Sequence, residues 1–175
     1  MRYDFLVETY ASERIKMLSV WSEFEDGDLR VRPNAEDKRG RSVLEQMVHQ
    51  CVSEDLWFRN MLGIESGIAA LPERETRLEF IGRYAEASAR RLKKLRETDD
   101  AWWEAAVKFF DVERTRAWVM TRRLNHTAHH RGQQMAMLRM LNREIRSNYG
   151  PTADTGDKVV YAYPDIDTLL AKLNG

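Results

Sequence analysis

Two short strings set the helical frame of this chain. "SVLE", residues 42–45, and "TRLE", residues 76–79, each place a hydroxyl residue three positions ahead of a glutamate. The hydroxyl can accept the backbone N–H of the fourth residue while the glutamate reaches back to the N–H of the first. Both strings head runs whose apolar residues return every three or four positions, the spacing of an amphipathic helix. After Ser42 these are Leu44, Val48, Val52, Leu56 and Met61, with Gly63 as a natural stop. After Thr76, which follows the breaker Pro72, they are Phe80, Ile81, Tyr84, Ala87, Leu92 and Leu95, carrying the helix to about Thr98.

Only 4 prolines and 9 glycines interrupt the 175 residues, so further helices fit. One is expected over roughly residues 3–25, on the stripe Phe5, Leu6, Thr9, Ile15, Leu18, Val20 and Trp21. Another is expected from about Glu113 or Thr115 to about Ile145, with Gly150-Pro151 as the stop signal. Residues 25–41 are polar and read as a loop. The aromatic string "AWWEAAVKFFDVERTR" fits no element by its pattern, and the last residues read as a tail with one short helical turn. The expectation is an all-α fold, a four-helix bundle over residues 1–150. Residues 151–175 then form a C-terminal tail packing on the bundle or on a dimer of it.

The charge narrows the function. Lysine plus arginine equals aspartate plus glutamate at 28 each, so nothing steers nucleic acid from a distance, and no nucleic-acid partner is expected. Eight arginines do fall between Arg114 and Arg146. They read either as an anion-binding face or as a solvated helix surface paired with acids. No apolar run approaches the ~18 residues that a membrane span needs, and the N-terminus carries acid without an apolar stretch, so a cytoplasmic protein is expected. A single cysteine, Cys51, leaves no internal disulfide and no cysteine-based zinc framework. It reads as a packing residue.

Three of the four histidines crowd into "LNHTAHHRGQQM", residues 124–135. On a helix His126 and His130 are neighbours, ~40° apart around the axis and ~6 Å along it, so two imidazoles can share one ion. His129 is rotated ~100° from His130 and stands aside. The stripe Val119, Arg123, His126, His130, Gln133, Met137, Met140 faces a bundle core, and His49 keeps company there with Val52 and Leu56. Two imidazoles from one helix and one from another would make a three-histidine site with open positions, which is more usual for reactive than for structural metal. The same spacing is also that of core histidines that are merely hydrogen-bonded. Glu45 and Ser53, one turn either side of His49, are candidates to support a ligand imidazole, and Gln133 is a candidate pocket residue. Thr127 stands where the zinc peptidases carry glutamate, so the adjacent base for attack by water is missing. Arg131 reads as an ion-pair or dimer-surface residue, and Gly132 as a point of close helix approach.

"NHTAHHRGQQMAMLRMLN" resembles the second motif of the DinB/YfiT-like proteins, and "LEQMVHQCVSEDLWF" resembles their first, with its single histidine. The order of helices and the gap of roughly 77 residues also agree. This resemblance implies a bundle that is usually dimeric and holds a divalent metal on His49, His126 and His130. Imidazole ligands suit zinc or nickel. It further implies a choice between two functions. Some related proteins are thiol-dependent S-transferases or isomerases that use low-molecular-weight thiols, and the second reading is a non-catalytic metal-binding or stress-response module. The aromatic residues Trp102, Trp103, Phe109 and Phe110, with the apolar tail, suggest surface left for a homodimer to cover.

Overall fold

The computed structural model describes residues 2–155, 163 and 165–174; of the expected tail, residues 156–162, 164 and 175 lie outside them. The helices are α1 (Asp4–Ser22), α2 (Val43–Trp57), α3 (Arg77–Leu95), the short α4 (Asp100–Glu104), α5 (Arg116–Met140) and α6 (Ile166–Asn174). Between α4 and α5 run two strands, β1 (Ala106–Phe109) and β2 (Val112–Thr115). The four long helices form the bundle, with α1 packed against α3 and α5, and α2 against α5. α6, longer than one turn, lies on α1 and α3 and buries Leu169 in the core. No helix among the described residues is long and apolar enough to cross a membrane.

The helix starts follow local chemistry. Ser42 Oγ accepts from Glu45 N at 3.2 Å, and Glu45 Oε2 accepts from Ser42 N at 2.8 Å, closing the box at α2. At α3 only half of the box forms. Thr76 Oγ1 accepts from Glu79 N at 3.3 Å, but the Glu79 carboxylate turns to Arg74 at 2.5 Å. Thr115 opens α5 by accepting from Trp118 N at 3.2 Å. The ends differ more from expectation. α5 stops at Met140, five residues short, because Asn142 takes a left-handed turn at φ 53°, a conformation asparagine tolerates. α2 runs on through a π-helical turn, Phe58–Leu62, and ends at Gly63 with φ 69°, where a side chain would be strained.

The unassigned aromatic string becomes α4 and a hairpin. β1 and β2 pair antiparallel, Ala106 opposite Thr115 and Phe109 opposite Val112, around a turn in which Phe110 has φ 54°. Trp103 is fully buried within the chain, whereas Phe110 is 69% exposed. Gly132 departs from its expected role: a Cβ there would meet nothing within 4 Å, so close helix approach does not account for it.

The core comes in two apolar clusters separated along every long helix by buried polar residues. One gathers Met17 and Trp21 of α1, Met47 of α2, Phe80 and Ile81 of α3, and Leu138 of α5. The other gathers Leu6, Phe58, Leu95, Trp103 and Met120. Glu54 sits between them with no exposure and is reached from all three other long helices. Tyr10 of α1 donates to it at 2.7 Å, Tyr84 of α3 at 2.9 Å, Arg91 of α3 at 3.3 Å and Arg123 of α5 at 3.2 Å. Burial alone would raise the Glu54 pKa, but the Arg123 and Arg91 charges outweigh it and hold the carboxyl below its ordinary value. Cys51, one turn earlier, is buried, and that burial pushes its thiol well above the usual range.

Candidate metal centre

The polar layer reaches the surface at the seam of α2 and α5, and three imidazoles meet there. His49 comes from α2, His126 and His130 from α5. His126 Nε2 lies 3.4 Å from His49 Nε2 and 3.2 Å from His130 Nε2, and one ligand atom from each ring falls within 4.8 Å of the others. Ligands ~2.0–2.1 Å from a tetrahedral ion stand about 3.4 Å apart, so the two short separations already match a shared ion. No carboxylate or thiol joins this group among the described residues. His130 is buried and the other two are half-buried, with the Trp57 ring 5.6 Å from that of His126.

The rings are held from behind. His130 Nδ1 donates to Gln46 Oε1 at 2.8 Å and faces Gln133 Oε1 at 3.1 Å, which leaves the Nε2 lone pair free for an ion. His126 differs. Arg123 Nη1 donates to its Nδ1 at 3.2 Å, and the same guanidinium is tied to Ser53 Oγ at 2.9 Å and to Glu54. In the metal-free chain that contact favours the tautomer with the proton on Nε2. Binding an ion at Nε2 would therefore move that proton to Nδ1, with no net release, and would require Arg123 to yield its contact there. Burial lowers the pKa of His126 to about 3, with the Arg123 charge adding to it, and lowers that of His130 to about 4. Burial lowers His49 as well. All three are thereby kept in the neutral, ligating form at neutral pH.

The expected supporting residues divide. Gln133 touches His130, as described. Ser53 reaches the site only through Arg123, and Glu45 does not reach it: its carboxylate serves the α2 cap and Arg32. Gln46 and Arg123 are the supports that sequence reasoning missed. Gln46 lies one turn before His49, and Arg123 one turn before His126, so helical spacing alone marked both. Arg131 is not a surface residue. It is buried and paired with Glu13 at 2.6 Å. Arg139, Arg143 and Arg146 are paired with Asp154, with Glu25 and Asp28, and with Glu23, so with Arg123 on Glu54 five of the eight arginines are spent on structure.

The sequence profile of the DinB family matches residues 3–156. The chain belongs to the DinB family. The solved structure of a DinB-like protein from Bacillus cereus ATCC 10987 superposes with a TM-score of 0.69 at 15% identity, covering 82% of this chain and 95% of that one. A DinB-like protein from Bacillus subtilis gives a TM-score of 0.61 at 12% identity, covering 78% and 92%. At such identities the likeness speaks for the fold, and this DinB chain shares it. No curated protein matches the chain.

His129 gives an internal control. Its ring is exposed and its Nε2 faces Gln133 Nε2 at 3.1 Å, away from the shared point. His129→Ala should keep the bound metal, and His130→Ala should lose most of it, by elemental analysis of protein purified without a nickel column. Equal metal in the two variants would mean that the ligand set is misassigned.

Proposed function

We propose that this DinB protein holds one divalent ion, zinc or nickel, on His49, His126 and His130 and transfers a small thiol to an electrophile. The observation that carries this is the convergence of three neutral imidazoles with no free carboxylate beside them among the described residues. Glu54 is enclosed by two arginines and two tyrosines, and Glu45 by its cap and Arg32, so neither is available to take a proton from attacking water. A nucleophile that ionises readily by itself suits such a site, and thiols do. A bound divalent ion would favour the thiolate at neutral pH. The chain supplies three things: a His130 imidazole fixed by Gln46 and Gln133, a wall formed by Trp57, and an open side toward solvent. The thiol proton leaves to solvent, the sulfur electron pair forms the new carbon–sulfur bond, and the leaving group departs with the old bonding pair.

The test incubates metal-loaded protein with a panel of small thiols and a chromogenic electrophile. Conjugation should be faster than with a variant lacking all three histidines. Equal rates would leave a metal-binding module without this reaction.

We also propose a homodimer, on altered grounds. Trp103 is covered by its own chain, so the remaining argument is the exposed group of Phe110, Val112 and Trp118, at 69%, 39% and 41%. Light scattering should give twice the chain mass at micromolar concentration, and a monomer mass would refute it.

A further inference from the structure

Charge is out of balance in the groove beside His49. The groove holds about 730 Å³, and six of its lining residues are charged: Arg30, Lys38, Arg39, Arg41, Glu45 and Glu75. Most of that charge is already spent. Arg30 pairs with Glu75 at 2.6 Å, Arg39 with Asp37 at 2.8 Å, and Glu45 with Arg32 at 2.5 Å. Among the described residues the side chains of Arg41 and Lys38 have neither an acidic nor a hydrogen-bonding partner. Two cations therefore face a cavity that ends at a candidate ligand imidazole.

Arg41 is also placed with little freedom in its backbone. Arg32 Nη1 donates to Gly40 O at 2.6 Å and to Lys38 O at 3.3 Å, pinning the segment just before it. On the other side, Val43 N donates to Val31 O at 3.2 Å and Leu44 N to Leu29 O at 2.9 Å. A second groove of about 270 Å³ shares Arg39 and Arg41 with Gln46 and Gln133, so Arg41 stands between two openings that flank the histidines. Burial is the main reason that His49 and His130 stay neutral, and the Arg41 charge adds to it at both rings.

We propose that Arg41, with Lys38 on the same groove, recognises the carboxylate of the substrate whose thiol reaches the three histidines. The proposal rests on the thiol reading above and gives it a substrate class: small thiols bearing a carboxylate, in preference to neutral ones. A guanidinium takes a carboxylate through two parallel N–H···O bonds, which fixes direction as well as charge. A strap already held in place loses little further freedom when it does so. Because the groove is open to water, the expected preference is about tenfold rather than larger.

Cobalt(II)-loaded protein titrated with 3-mercaptopropionate and with 2-mercaptoethanol, followed by the thiolate-to-cobalt absorption band, tests this. The wild-type chain should bind the carboxylate thiol about tenfold tighter, and Arg41→Met should bring the two affinities together. Arg83→Met, a surface control elsewhere, should keep the preference. The d–d bands report cobalt loading in every variant, which separates a lost metal site from a lost preference. A preference that survives Arg41→Met, or none in the wild-type chain, overturns the proposal. If neither thiol binds, the thiol reading fails on its own, and calorimetry with succinate decides the subsite. Heats that fall in Arg41→Met support it, and equal heats overturn it.

Discussion

Protein carrying His126→Ala and His130→Ala together is expected to fall from about one divalent ion per chain to near none. Two of three ligands are gone, and His49 alone cannot hold an ion against water. The helices should persist, since both rings lie outside the two apolar clusters, and circular dichroism checks that. The pH dependence follows from the same rings. In the folded metal-free chain His126 and His130 stay neutral down to about 3 and about 4, whereas in the unfolded chain they take up protons below about 6.5. Acid release of the ion from wild-type protein should therefore begin well below the ordinary imidazole range. The metal-free chain should lose stability as the pH falls from about 6.5 toward those folded values, because there the unfolded state binds more protons. Half-release of metal near pH 6.5 would mean that the rings are more open to water than this structure has them.

The largest stability effect should come from Glu54. Glu54→Leu removes the carboxylate that Arg91 and Arg123 share, each 1% exposed, and strands Arg123 in the core, while Arg91 keeps Asp55 at 3.0 Å. Breaking a buried ion pair from one side costs about 3–5 kcal/mol. For a chain of this length that lowers the melting temperature by about 6–20 °C. Adding Arg123→Met to Glu54→Leu should recover much of the loss, because Arg91 keeps Asp55 and no buried charge is left unpaired. A single variant that melts within a degree or two of wild type would show that the arginines find other partners.

These two groups of residues differ in how far the sequence disclosed them. The His126–His130 spacing, the Ser42 and Thr76 caps and the four long helices were legible, since each rests on contacts within a few residues. The inward face of α2 was not. Val48, Val52 and Leu56 look like its core stripe, yet Leu56 is 40% exposed while Gln50 and Glu54 have no exposure. Periodicity counts a glutamate as outward. Here four partners from three other helices satisfy it, and no pattern within α2 can announce them. His49 consequently sits at the seam beside the core rather than within it. The hairpin was hidden for a different reason: its turn uses Phe110 at φ 54° without the glycine or asparagine that usually marks such turns. The early end of α5 depended on one asparagine, Asn142, in a segment otherwise able to continue.

Cys51 bears on how such a protein would endure its own chemistry. An electrophile reactive enough to take sulfur from a small thiol will alkylate any accessible cysteine, and a protein handling such compounds risks gradual self-inactivation. Here the sole sulfhydryl is 3% exposed and held in its unreactive protonated form. Damage can reach it only when α2 lifts away from its neighbours, against the grip that Tyr10, Tyr84, Arg91 and Arg123 keep on Glu54. If the proposed transfer is its reaction, the working lifetime in a reactive mixture would be governed by how often the core breathes, so a charge cluster remote from solvent would set the durability of chemistry at the surface.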